Sequence, residues 1–294
     1  MIKTEFLIFE GLTIFLFIAC VWHASRQGRF WVWELFFSLL YGVLLEWMTL
    51  QQLAAYEYGQ FVIMFDGAPL CIGLGWAVII YSGMEFVKNL EMPTYARPFL
   101  VGFLALNLDL AMDAIAIRLG FWNWVIPIDS QWFGVPWGNF WAWYIVVVSF
   151  SGLIYLFRAW GWRIDKNGFK RWGYVPLSLI GSVIMVGVTN FVYSTVFIRT
   201  ELMGAFSMVV LFWLGIVMVF SARPTIIPAK RLDWVVFMVP LVFHLYFNVI
   251  GFVKGYYAQL PILAVIGLLM LASGLAVHAY PAYLKRGSVN SHPK

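Results

Sequence analysis

Residues 202–221, LMGAFSMVVLFWLGIVMVFS, run without a charged side chain between Glu201 and Arg223. As a helix rising 1.5 Å per residue, such a stretch covers about 30 Å, the thickness of a bilayer's hydrocarbon core. Further apolar windows of the same kind lie outward from it at 4–24, 32–52, 69–87, 97–119, 140–160, 174–198, 232–253 and 262–281. With 63% hydrophobic and 11% charged residues and a mean hydropathy of +0.84, the chain lacks the polar residues to surface a water-soluble domain. The expected fold is all-α, a polytopic transmembrane helical bundle of about nine spans, or eight if two windows merge. No repeat or long linker divides it, so residues 1–284 read as one domain, followed by a short polar tail at 285–294.

Threading nine spans sorts the 19 Lys and Arg unevenly. One side, A, receives Arg26, Arg29, Lys88, Arg97, Arg158, Arg163, Lys166, Lys170, Arg171, Arg223, Lys230, Arg231, Lys285, Arg286 and Lys294. Side B keeps Lys3, Arg118, Arg199 and Lys254. Short loops rich in Lys and Arg stay on the cytoplasmic side. The expected setting is therefore a prokaryotic cell membrane, with the N-terminus outside and the C-terminus cytoplasmic. The net charge of +5 is assigned to this topology and to lipid headgroups, with no nucleic-acid partner. Glu5 and Glu10 in the first span and the lack of a small-residue cleavage site argue that this span is retained. Cys20 and Cys71 sit in separate apolar windows and form no metal or redox motif.

Polar groups at hydrocarbon depth are costly, so their positions carry the functional signal. The threading puts Glu10 and Glu46 about a third of the way in from side B, with Asp109, Asp113, Asn190, His244 and Asn248 in the same half. One reading is a set of independent interhelical hydrogen bonds; the other, favoured for the acids, is a polar layer around a cavity. Asp109 and Asp113, at i and i+4, share one helix face about 6 Å apart. Two carboxyls so placed cannot both ionise comfortably, which leaves an acid beside a base. The alternative for this pair is a structural hydrogen bond or a bridge to Arg118.

Two weaker features complete the pattern. His23 and His278 fall near the side-A ends of their spans and could face each other as ligands, although no further ligand supports a metal or haem site. Residues 120–143, GFWNWVIPIDSQWFGVPWGNFWAW, place six Trp beside the polar layer, and Pro127 and Pro136 interrupt regular backbone. Non-helical backbone at such depth is tolerated only when covered, so this segment is expected to be a lid or re-entrant element lining the cavity.

The run DLAMDAIAIRLGFWNW, Asp109 to Trp124, followed by FGVPWGNFWAW, Phe133 to Trp143, resembles the carotenoid biosynthesis integral membrane family that includes bisanhydrobacterioruberin hydratases and related end-group hydratases. GAPLCIGLGWAVIIYSGM, Gly67 to Met84, is similar to that family's third-helix region, and Glu46 with the Tyr56/Tyr58 segment occupies the place of its glutamate and loop. The likeness covers roughly residues 40–150 and departs from the family's pattern at Ala114 and Ala142. It implies water addition across the terminal double bond of an acyclic carotenoid or other long isoprenoid, with no cofactor. In that reading Asp113 is the acid and Asp109 or Glu46 orients water. Trp122, Trp124 and Trp141 face the cation, Asn139 holds water or loop, and Tyr58 and Trp76 join them in binding substrate. Glu10, Asn190, His244 and Asn248 form the supporting layer. Rival readings are a carotene cyclase-like enzyme, a non-catalytic pigment- or lipid-binding subunit, and a proton-coupled transporter.

Overall fold

In a computed structural model that describes residues 2–53, 56–197, 200–229 and 231–289, the chain is an all-α bundle. The long helices are α1 (Thr4–Gln27), α2 (Arg29–Leu53), α3 (Leu70–Val87), α4 (Arg97–Leu119), α5 (Trp137–Ala159), α6 (Gly168–Val192), α7 (Glu201–Ser221) and α8 (Trp234–Val253). A four-residue α9 (Tyr256–Gln259) leads into α10 (Pro261–Val289). Among the described residues, 9 helices are long and apolar enough to cross a bilayer. Helices suit that setting because each satisfies its own backbone N–H and C=O groups.

The helix ends follow local chemistry. Asn167, Thr200 and Asp233 cap α6, α7 and α8 by accepting backbone N–H bonds from Phe169, Met203 and the Val235/Val236 pair. Gly120, at φ 80°, ends α4 in the left-handed conformation that a side chain would resist. A single π-helical turn, Tyr193–Phe197, extends α6.

Burial grades the helices. α3 is 89% buried over its apolar window and packs against α1, α2, α4 and α8, whereas α7 and α10 are 22% buried and sit at the rim. Their outward faces, including Phe206, Trp213 and Leu269, are exposed and suit contact with lipid. Three small ribbons dress the ends. β1 (Tyr56–Tyr58) pairs antiparallel with β5 (Trp122–Trp124), β2 (Met64–Phe65) with β3 (Ala68–Pro69), and β4 (Leu90–Glu91) with β6 (Thr225–Ile226).

The two ends of the bundle differ. At the end holding the start of α1, Lys3 donates to the Leu119 carbonyl at 3.0 Å, and Lys254 pairs with Glu5. At the opposite end Glu85 gathers Lys88 at 2.5 Å, Gln27 at 2.6 Å and Trp31 at 3.0 Å. There Glu34 of α2 also pairs with Arg158 of α5 and accepts from Tyr174 of α6 at 2.5 Å. This second end carries the basic residues assigned to side A, apart from Lys230 and Lys294, which lie outside the described residues, as does Arg199 of side B.

The expected boundaries shift in three places. The segment from Gly120 forms β5 and an irregular loop, and α5 begins at Trp137, ahead of the window expected at 140. α6 starts at Gly168, because Asn167 caps it earlier than hydropathy suggests. α10 runs to Val289, into the stretch read as tail, while 290–294 lie outside the described residues.

Asp233 does double duty, capping α8 and lying 3.0 Å from His23 Nε2. Burial pushes its carboxyl up, but the His23 and α8 N–H bonds outweigh that and hold it below the usual carboxylate range. A depressed folded value means this stabilisation is present above the unfolded carboxylate's pKa, about 4, and is lost as pH falls through the folded value. Asp233→Ala is expected to cost about 1 kcal/mol at pH 7. The melting-temperature gap to wild type should begin to narrow as pH falls below about 4; a gap unchanged by pH would contradict the assignment.

Candidate active site

The site begins with α2. A Cβ on Gly42 would lie 2.7 Å from the Trp76 Cβ, so only glycine lets α3 bring Trp76 this close. One turn further along α2, Glu46 receives the Trp76 indole N–H on Oε1 at 2.7 Å. β1 closes over the other oxygen, with the Tyr56 and Tyr58 hydroxyls each donating to Glu46 Oε2 at 2.6 Å. Three donors from two elements thus fix one carboxyl that is 8% exposed.

β5 supports β1 in strict register, Tyr56 opposite Trp124 and Tyr58 opposite Trp122, with ring centroids 4.7 and 6.1 Å apart. Trp143 of α5 packs on Trp76 at 4.4 Å. The result is an aromatic wall on three sides of Glu46.

Asp113 arrives from α4. Asn139, in the first turn of α5, donates to Asp113 Oδ2 at 2.6 Å and to both Asp109 oxygens at 3.2 Å. Asn139 thus bridges two buried carboxyls, and two carboxyls brought together in this way cannot both ionise comfortably, which leaves one of them to hold a proton. Asp113 Oδ1 is buried without a partner among the described residues, and so is the indole N–H of Trp124.

Glu46, Asp113, Asn139 and this wall line one cavity of about 730 Å³, within the size range of sites that take small molecules. Phe9, Phe243, Cys71 and Ile79 floor it, and among the described residues no Lys, Arg or His lines it. Its rim includes Val125 of the loop and, at the side, Met48 and Thr49 of α2 facing Gly187, Phe191 and Ser194 at the far end of α6. Gly187 and Phe191 are both lining and exposed, so the cavity opens laterally between two membrane-length helices.

The residues singled out from sequence therefore divide. Glu46, Asp113, Asn139, Trp122, Trp124, Tyr58, Trp76 and Asn190 line the cavity. Asp109, fully buried, lies behind Asp113 and reaches the cavity only through Asp113 and Asn139. Trp141 packs against Tyr193 at 5.1 Å and is not in the lining. Glu10 lies outside it too, accepting the backbone N–H groups of Val62 and Ile63. His244 faces Asn107 at 2.9 Å, and Asn248 binds Tyr257 and the Gly267 carbonyl, in a separate seam of α4, α8 and α10. Equal depth on different helices does not require a common direction.

Other pairings are settled by geometry. Arg118 bonds the Ala114 and Phe133 carbonyls and leaves the aspartates alone. His23 binds Tyr81 and Asp233, while His278 bonds the Gly274 carbonyl and stacks on Phe86, so the two histidines serve different contacts. Among the described residues no cluster of three or more His, Cys, Asp or Glu suits a metal ion. Sequence reasoning missed Trp143, Phe9 and Phe243 in the lining; Trp143 lay within the quoted aromatic block, but the two phenylalanines carried no signal.

Comparison of the chain with protein-family models, curated proteins and solved structures found no match.

Proposed function

We propose that this chain is a membrane-embedded enzyme that hydrates the terminal double bond of an acyclic carotenoid or related long isoprenoid. The observation that carries the reading is Asp113, a carboxyl with one buried oxygen left without a partner among the described residues, lining an aromatic cavity that opens sideways into the span of the helices. Carboxyls without a lining cation disfavour fatty acids and prenyl diphosphates and favour a neutral hydrocarbon.

In the proposed reaction the proton held by the Asp109/Asp113 pair passes from Asp113 to the less substituted carbon of the terminal C=C bond. Its π electrons form the new C–H bond and leave a tertiary cation. Glu46, fixed by Tyr56, Tyr58 and Trp76, faces that charge together with the ring faces of Trp122 and Trp124. Water attacks the cation through oxygen, and its surplus proton returns to Asp113, giving a tertiary alcohol and the starting enzyme. The unpartnered Asp113 oxygen and Trp124 N–H provide the acceptor and donor that a held water needs. When both carboxyls are charged, Asn139 has one N–H for each.

The same reading places the end with Arg26, Arg158 and Arg171 in the cytoplasm and the cavity toward the outer face. The test is expression in cells that accumulate lycopene, followed by mass spectrometry of the pigments. A product heavier by one water is expected. An isomer of unchanged mass would assign the same acid to cyclisation, and unaltered pigment from a well-expressed protein would remove acyclic carotenes from the proposal.

Access is testable separately. A Cβ at Gly187 would meet nothing within 4 Å, so the backbone leaves room for a side chain to start there. Gly187→Trp is expected to cut turnover of the long substrate about 10-fold or more with an unchanged melting temperature, on the rule that misplacing a substrate by an ångström costs up to about 100-fold. Full activity would move the portal elsewhere on the rim.

A further inference from the structure

The cavity combines features that point to a ligand class beyond hydrocarbons. Glu46 presents a carboxyl whose oxygens are turned to accept from Tyr56, Tyr58 and Trp76. Asp113, 1% exposed, lines the same cavity and has one buried oxygen without a partner among the described residues. Around them stand Trp122, Trp124 and Trp143, and among the described residues no basic side chain lines the wall to neutralise either acid. Ring faces carry negative electrostatic potential, and their attraction for a cation grows when water is excluded. Acid and aromatic surface without a counter-ion is the complement of a bulky, weakly hydrated cation.

We infer that the cavity is a binding site for lipophilic quaternary ammonium ions, the charged methyl-bearing head lying between Glu46 and Asp113 and the apolar tail leaving through the gap between α2 and α6. A quaternary ammonium centre has no N–H to satisfy, which suits a wall offering rings and, among the described residues, two acids. Its tail matches the exit, where Met48, Val183 and Phe191 leave the cavity continuous with the lipid-facing surface. A compact, strongly hydrated cation would lose its water without regaining enough oxygen ligands, since Glu46 and Asp113 are the lining carboxyls. The inference rests on the cavity's composition and stands independently of hydration: a chain that hydrates nothing still binds such an ion.

The experiment uses the full-length protein in non-ionic detergent and two probes on the same C15 isoprenyl tail, one ending in trimethylammonium and the other in the neutral isostere with carbon in place of nitrogen. Binding is followed by calorimetry. The charged probe is expected to bind about 10-fold tighter or more, a ratio that corresponds to about 1.4 kcal/mol. The gap should shrink in Glu46→Gln and in Asp113→Asn, each checked for an unchanged melting temperature so that at least one folded variant reports. Equal affinities for the two probes would overturn the inference, as would a gap unchanged in both variants. Hydration assayed on the same preparations is scored separately, so failure there leaves the binding result standing.

Discussion

Asp113→Asn is expected to lower hydration by about 10³-fold, within the range contributed by a positioned general acid, while leaving the helical bundle folded. The amide keeps the size of the carboxyl, and its oxygen can still accept the Asn139 N–H that now reaches Asp113 Oδ2 at 2.6 Å. It cannot deliver a proton, as the cavity-lining carboxyl can. Asp109→Asn should act differently. Asp109 is fully buried behind Asp113, so its amide would alter how the proton is shared rather than remove the donor, and a smaller loss is expected. Single-turnover product formation, read beside the melting temperature of each variant, separates the two. Equal losses would make the pair act as one unit, and full activity of Asp113→Asn would remove Asp113 from the acid's role.

The fold was legible because hydrocarbon thickness and helical rise together set a length that apolar runs either reach or miss. Helix ends were less legible: Asn167 starts α6 at Gly168 through a side-chain bond that hydropathy does not register. For the site, depth along each span was readable but rotation about it was not. Glu10 and Glu46 lie at similar depth, yet Glu46 turns into the cavity and Glu10 onto the Val62 and Ile63 backbone. Asp109 and Asp113 share a helix face, yet only Asp113 meets the cavity wall, because Asn139 from α5 covers Asp109. The ribbon of β1 and β5 was invisible for a further reason. It is three residues on each side and joins segments far apart in sequence, which no local pattern specifies.

α2 and α6 flank the lateral gap, and they are fastened at the other end of the bundle. Tyr174 of α6 donates to Glu34 of α2 at 2.5 Å, and the Trp33 indole donates to the Trp172 carbonyl at 3.2 Å. Toward the cavity end, Met48 and Thr49 face Gly187 and Phe191 across empty space. The arrangement resembles a clothes peg, joined at one end and parted at the other.

The joint makes the second large prediction. Arg158→Ala leaves Glu34, 5% exposed, without its guanidinium, and removing one member of a buried pair costs about 3–5 kcal/mol because the other charge stays uncompensated. The loss should appear as a lower melting temperature in detergent. Replacing both partners, as Glu34→Gln with Arg158→Met, removes the stranded charge and is expected to recover most of the stability, since a buried pair is often no better than an apolar replacement of similar volume. Tyr174→Phe removes one neutral donor and should cost about 1 kcal/mol. If the single and double variants are equally unstable, Arg158 works by packing its stem against Trp31 and Tyr155, whose rings lie 5.8 Å from the guanidinium, rather than by pairing with Glu34. Stability lost at this joint should also loosen α6 against α2. The Glu34 pair lies at the opposite end of those helices from Glu46, so a parallel loss of quaternary ammonium binding in Arg158→Ala, restored in the double variant, would show that the closed end sets the geometry of the open one.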